Sequence, residues 1–256
     1  MCFRPLMTNR STDESPLRAL RLLERLTLVS DQAELDRLLE QIASVERPFV
    51  VSFVNAHAVN MACRDQQFFD ALMASNLLVR DGSGMRIMCQ AFGRAPGLNL
   101  NGTDLIPRIL ERCRGMPLAL CGTSEPYLSE AASRLEGVVL QIDGFQSPGA
   151  YVDPLKQSGA KVVVLAMGMP KQELLAQQLR SELDRGVLII NGGAILDFIG
   201  GRFTRSPVWM RAVGLEWSYR LANEPRRLWS RYMVGNAVFL ARVARLKMHP
   251  KPEPLR

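Results

Sequence analysis

The chain has 256 residues, 47% hydrophobic and 22% charged, with a net charge of +7. That length suits one large domain or a domain with an appendage. No apolar run approaches the ~18 residues of a membrane-spanning helix. The five cysteines, Cys2, Cys63, Cys89, Cys113 and Cys121, are scattered and form no C-x-x-C pair, which argues against a disulfide framework or a zinc site and for reduced thiols.

The opening "MCFRPLMTNRSTDESP" lacks the apolar core of a signal peptide, and residues 1–30 are expected to be a disordered or weakly ordered lead-in. A helix is expected over 31–43. From 48 to 200, short apolar runs alternate with helical patterns. Strands are expected at 48–54, 77–79, 117–121, 137–142, 161–167 and 186–190. Helices are expected at 57–74, 83–93, 103–114, 124–135 and 170–184, with Thr103 as one N-cap and Pro170 opening the last. The runs are rich in Val, Ile and Leu without strict alternation, as strands covered on both faces should be. The order predicts an α/β core over 31–200 with a mostly parallel sheet flanked by helices.

Beyond residue 200 the character changes. Residues 201–250 hold nine Arg and one Lys against Glu216 and Glu224, a surplus of +8, and the rest of the chain sums to −1. All three tryptophans (Trp209, Trp217, Trp229) lie there as well. Residues 201–249 therefore read as a basic helical appendage, with 250–256 a tail. Taken as one helix, 226–247 brings Arg227, Arg231, Arg242 and Arg245 within about 60° of each other. A neighbouring stripe of Leu228, Tyr232, Phe239, Val243 and Leu246 is extended by Trp229, Met233 and Leu240. Two readings stay open: a helix lying on an anionic membrane surface, or a terminal helix packed on its own domain.

Ligands of open α/β sheets bind beyond the carboxyl ends of the strands. Those positions hold Asn55 and His57, then Asp81, then Gly122 and Thr123, then Asp143 and Gly144, then Gly168–Glu173, then Asn191–Gly193. Glycines that let backbone N–H groups approach, repeated along one sheet edge, point to an anionic ligand. Gly144 alone reads as a tight turn. Neither G-x-G-x-x-G nor G-x-x-x-x-G-K-[ST] occurs, which argues against a dinucleotide oxidoreductase or a P-loop enzyme. There is no D-x-D pair, no metal-ligand set and no serine elbow, and no cofactor is expected. Asp81, closing the run "NLLVR", is the candidate general base. An N-cap or Asx-turn role for it stays open, since D-G-S-G is good turn chemistry. His57 reads as structural or substrate-orienting.

The segments "VRDGSGM", "NGTDLIPRIL", "LAMGMPKQE", "INGGAILDFIGGRFTRSPVWM" and "GLEWSYRLANEPRRLWSRY" resemble, in order and spacing, the WecG/TagA/CpsF family of bacterial glycosyltransferases over about residues 30–245. "FVNAHAVN" and "GLNLNGTDL" resemble its xanthan-type branch, which extends a lipid-linked glucose. The resemblance implies a Rossmann-like core and an inverting, metal-independent transfer. The sugar, glucose in that branch, would pass from a UDP-sugar to a polyprenyl-diphosphate-linked sugar in exopolysaccharide assembly. It implies a cytoplasmic protein held peripherally on the inner membrane face through residues 202–247, and no nucleic-acid partner. Whether the chain forms a homo-oligomer stays open. By motif, the resemblance makes Asp81 the base with Asn55 beside it. It matches Gln172 to a family glutamine, and with the strand-end loops it leads us to expect substrate-binding roles for Asn99, Asn101, Asp104, Gly122, Gly168, Pro170, Lys171, Gln172, Glu173, Asn191, Gly192 and Gly193. It matches Arg205, Arg226 and Arg227 to family arginines, and with Arg211 and Arg220 of the same basic segment these are expected to meet the substrate diphosphates. Phe53 and Asn99 stand where the family often has Thr and Arg, which fits a donor other than N-acetylmannosamine. A UDP-N-acetylmannosamine or -uronate donor for a cell-wall or enterobacterial-type polymer remains an alternative. A non-enzymatic membrane- or nucleic-acid-binding protein is another.

Overall fold

The computed structural model describes residues 15–207, 209–210 and 216–248. Six strands, β1 (Phe49–Val54), β2 (Leu77–Arg80), β3 (Leu118–Gly122), β4 (Val138–Ile142), β5 (Val162–Ala166) and β6 (Leu188–Asn191), form one all-parallel sheet in the order β2-β1-β6-β5-β3-β4. The first strand pairs with the last: Phe49, Val50 and Val51 lie opposite Leu188, Ile189 and Ile190.

Strands β1, β2, β3, β5 and β6 are apolar on both sides because both faces are covered, whereas the run expected as a buried strand at 137–142 is the edge strand β4, which exposes Val139 and Gln141. Val51, Phe53, Leu120, Val164 and Ile190 point into a core shared with α2 (Gln32–Ala43), α6 (Gly102–Arg112), α7 (Tyr127–Ser133) and α10 (Ile195–Ile199). The alternate residues Val50, Ala119, Val163 and Ile189 face α8 (Gly149–Gln157) and α9 (Lys171–Glu182). On that second face, at the β1–β2 end, Val54 and Leu78 pack against α1 (Ser15–Arg25), α3 (Ala56–Ala62), α4 (Gln66–Met73) and α5 (Gly82–Ala91).

Several expectations are corrected here. Residues 15–30, expected with the lead-in, hold α1, whose Ala19, Leu22 and Leu23 are buried, and Thr27 bridges to Val79 of β2. The helix expected over 57–74 is two. Asp65 breaks it by capping α4, its carboxylate accepting from Phe68 N at 3.0 Å. The cap of α6 is Asn101, not Thr103: Asn101 Oδ1 accepts from Asp104 N at 3.0 Å and from the Thr103 hydroxyl at 2.7 Å. Helix α8 has no counterpart in the sequence reading.

After β6 come α11 (Glu216–Asn223), α12 (Pro225–Trp229), a π-helical turn over Ser230–Val234, and α13 (Gly235–Met248). The single helix expected over 226–247 is thus interrupted. A π-turn inserts one residue and rotates the helix beyond it by roughly 100°. Arg242 and Arg245 therefore do not continue the face of Arg227 and Arg231. Phe239 and Val243 of α13 are buried in the core with α3 and α5, and Asn60 Nδ2 donates to Gly235 O at 2.7 Å. The packed-helix reading holds for this face. Trp229, Met233, Val234 and Leu240 remain exposed.

Candidate active site

The carboxyl ends of all six strands open on one cavity of about 560 Å³. Two close approaches draw the far strand ends inward. A Cβ at Gly122 would lie 2.3 Å from Ala166 O, and one at Gly144 would lie 2.8 Å from Thr123 N. Glycine at these positions lets β3 sit against β5, and lets the loop after β4 fold back over β3. Gly144 is thus more than a turn residue, and it lines the cavity.

Asp81 occupies the N-cap position of α5, but its side chain makes no cap bond to that helix. One of its carboxylate oxygens instead accepts from Asn55 Nδ2 at 3.2 Å. Asn55 Oδ1 is taken by Ala58 N at 3.0 Å as the cap of α3, so the amide can face Asp81 in one orientation only. The Asp81 backbone is fixed as well. Its N–H donates to Val54 O at 2.8 Å, and Gly82 N donates to Asn99 Oδ1 at 2.9 Å. Below them Arg80, 4% exposed, donates to the carbonyls of Pro96, Gly97 and Gly82. A charged residue ending the strand is thus a tie between the Asp81 loop and residues 96–99.

His57, in the first turn of α3, lines the same cavity. Burial, and secondarily the charge of Arg231, lower its pKa to about 4. The imidazole is neutral near pH 7 and a poor proton acceptor there.

A second cavity of about 380 Å³ adjoins the first. Asn55, His57, Asp81, Asn101 and Arg231 line both. The second is otherwise bounded by Gly82–Gly84, Asn99 and a set of large side chains, Ile87, Trp217, Tyr232, Phe239 and Leu240. Asp81 therefore stands where a loop-lined cavity meets an aromatic and aliphatic one.

The WecG/TagA/CpsF glycosyl transferase family model matches residues 23–253. The chain belongs to this family. It is therefore a glycosyltransferase, and the family implies a nucleotide-sugar donor and a lipid-linked acceptor in general terms.

Of the site residues expected from the sequence, Asn55, Asp81, Asn101, Gly168, Gln172, Asn191, Gly192 and Gly193 line the first cavity, and Asn99 lines the second together with Asn55, Asp81 and Asn101. Of the other described side chains, those of Asp104, Pro170, Lys171, Glu173, Arg205 and Arg226 line neither, nor does Gly122. Gly122 acts through its close approach. Lys171 Nζ donates to Gly144 O at 2.8 Å, Gln146 O at 2.6 Å and the Tyr151 hydroxyl at 2.9 Å, anchoring the loop after β4. Pro170 is the residue before α9, and Glu173 is 1% exposed beneath the loops. Asp104 is taken by Arg205, whose Nη2 lies 2.5 Å from its carboxylate. Arg226 is exposed and lines neither cavity. Arg211 lies outside the described residues, as do the side chains of Arg220 and Arg227.

Among the described residues, the arginines that line the first cavity are Arg202 and Arg231. Arg202 is held by Asp197 at 3.3 Å, which also accepts from the Thr123 hydroxyl at 2.6 Å. Its guanidinium lies 5.4 Å from the ring centres of both Tyr127 and Phe203. Arg231 sits in the π-turn. The sequence signal for Arg202 was a basic residue just after a glycine pair ending a helix. For Arg231 it was membership of the arginine stripe. Among the described residues, no group of three His, Cys, Asp or Glu side chains is placed to hold a metal ion.

Proposed function

We propose that this glycosyltransferase moves glucose from UDP-glucose to a sugar on a polyprenyl diphosphate, in assembly of an exopolysaccharide repeat unit at the inner membrane face. The observation that carries this is the meeting of the two cavities at Asp81. The loop-lined one, with Gly168, Gly192, Gly193, Arg202 and Arg231, suits a nucleotide diphosphate. The other, with Trp217, Tyr232, Phe239 and Leu240, suits the sugar and first prenyl units of a lipid acceptor.

In this mechanism Asp81 takes the proton of an acceptor hydroxyl as its oxygen attacks the anomeric carbon. The carbon–oxygen bond to UDP breaks in the same displacement, so configuration inverts. Charge gathering on UDP meets the loop amides and arginines rather than a metal. Asn55 holds the carboxylate toward the acceptor, and neutral His57 offers a hydrogen bond beside it. Glucose is favoured by Phe53, which lines the first cavity where the family often has Thr, and by Asn99 in place of Arg. Membrane attachment is supported by exposed Trp229, Met233, Val234 and Leu240, the last of which also lines the second cavity. Among the described residues no helix is long and apolar enough to cross a membrane.

The test is transfer from a panel of UDP-sugars to a synthetic prenyl-diphosphate-glucose acceptor, with Asp81→Asn alongside. Transfer from UDP-glucose that the variant loses is the expected result. Transfer from UDP-N-acetylmannosamine alone would overturn the glucose assignment.

A further inference from the structure

Gln172 and Glu173 are adjacent in the first turn of α9, 2% and 1% exposed. The Gln172 carbonyl oxygen accepts two backbone amides from different loops, Gly168 N at 3.2 Å and Gly193 N at 3.0 Å. Its amide nitrogen donates to Glu173 Oε1 at 2.8 Å. Chemistry dictates this arrangement. Only an oxygen can receive two N–H groups, so the NH2 must face an acceptor on the other side. Gly168 and Gly193 adopt φ of 80° and 61° and both line the first cavity, whereas Glu173 lines neither.

Glu173 is an expensive residue to keep there. Its Oε2 is buried without a hydrogen-bond partner, and burial pushes its carboxyl up to about 7. An apolar side chain of similar volume would satisfy the core better. The hydrogen bond from Gln172 is the one side-chain contact that offsets this.

We propose that Glu173 is a positioning residue: by holding the Gln172 amide in one orientation, it fixes the spacing of the Gly168 and Gly193 loops and pre-forms the seat of the donor diphosphate. The donor part rests on the first cavity being the nucleotide-sugar site. Without an acceptor at 173 the amide is free to rotate, and in the flipped state its NH2 opposes the two loop amides.

The test is a double-mutant cycle of Gln172→Ala and Glu173→Met, with Glu173→Gln as the conservative variant. UDP binding, donor KM and kcat are measured, together with amide exchange at Gly168 and Gly193 in the free protein. Glu173→Met is expected to weaken UDP binding and raise donor KM roughly tenfold, as for loss of one strong hydrogen bond. Its kcat should stay within about twofold. The double variant should be no worse than Gln172→Ala, since Glu173 acts through Gln172. Glu173→Gln, which keeps an oxygen facing the amide, should restore binding. Exchange at Gly168 and Gly193 should accelerate in Glu173→Met while the strands stay protected. Additive losses, unchanged UDP binding in a folded Glu173→Met protein, or equal damage in the Gln and Met variants would each overturn the proposal. If Glu173→Met does not fold, Glu173→Ala takes its place. If the wild type binds no UDP, the donor-site reading fails, and exchange at the two glycines still decides whether Glu173 holds the loops.

Discussion

Asn55 donates from Nδ2 to Asp81 Oδ2 at 3.2 Å, across the seam between β1 and β2. The same amide caps α3 from its other end, so one side chain both starts a helix and aims the carboxylate. Asp81→Asn should lower turnover by ~10²–10⁴-fold, the usual contribution of a general base, with an unchanged melting temperature. Asn55→Asp keeps the cap but sets a second carboxylate against the first. Its turnover should fall with little change in melting. Asn55→Ala removes both, so it should also lose about 1 kcal/mol of stability by denaturant titration.

The cavity arginines separate from the exposed ones. If the first cavity seats the donor as proposed, Arg231→Ala should reduce turnover by roughly 10²-fold, since a cation facing a leaving diphosphate acts mainly in the transition state. Arg245 of α13 is exposed and lines neither cavity. Arg245→Ala, assayed in detergent, should stay within about twofold of wild type.

Two titrating groups, half-buried His57 and buried Glu173, pull stability in opposite directions with pH. The His57 pKa is lowered from 6.5 to about 4 by burial and by Arg231, so the unfolded chain binds the proton first. Its contribution is full above pH 6.5 and is lost as pH falls toward 4. The Glu173 pKa is raised from 4.5 to about 7 by burial. Its contribution is full below pH 4.5 and is lost as pH rises toward 7. Melting curves between pH 4 and 8 should therefore show His57→Gln losing less stability on acidification than wild type. Glu173→Gln should lose less between pH 4.5 and 7.

The exposed apolar rim should matter for membranes and not for chemistry. Met233→Glu and Val234→Glu alter side chains that are 44% and 57% exposed. Each should weaken binding to vesicles by on the order of 1 kcal/mol, read by flotation. Turnover on a short-prenyl acceptor in detergent should persist.

The sheet was legible because five of its strands are buried Val/Ile/Leu runs and the sixth, the edge strand β4, is still Val/Leu/Ile-rich, and the site was legible where glycine or a polar residue comes directly after such a run. Asp81, Asn55 and Asn191 are of this kind, and Gln172 was found by its motif. Sequence did not carry which way a side chain turns once backbone and side-chain bonds compete. Lys171, Arg205 and Glu173 sit inside the family motifs, yet they tie loops together from outside the cavities. Arg231 depends on a π-turn at 230–234, a rotation that no residue pattern announces. Helix α8 was missed because "GAYVDPLKQ" carries Pro154 inside it and few apolar repeats.

The strand order gives this enzyme a late moment of assembly. β1 and β2 pair with each other, and β5 joins β3 and β4, but only β6 touches both groups. Until residues 188–191 leave the ribosome, the half bearing Asn55 and Asp81 and the half bearing Gly168 and Gln172 have no backbone ladder between them. A nascent chain halted before that point would hold two incomplete half-sheets with bare edges, prone to find partners elsewhere. Joining residues about 140 apart is also slow by loop-closure entropy. The strand ends that carry Asn55 and Asp81 and those that carry Gly168 and Gln172 come together in that single pairing event, before the Arg231 turn can close over them.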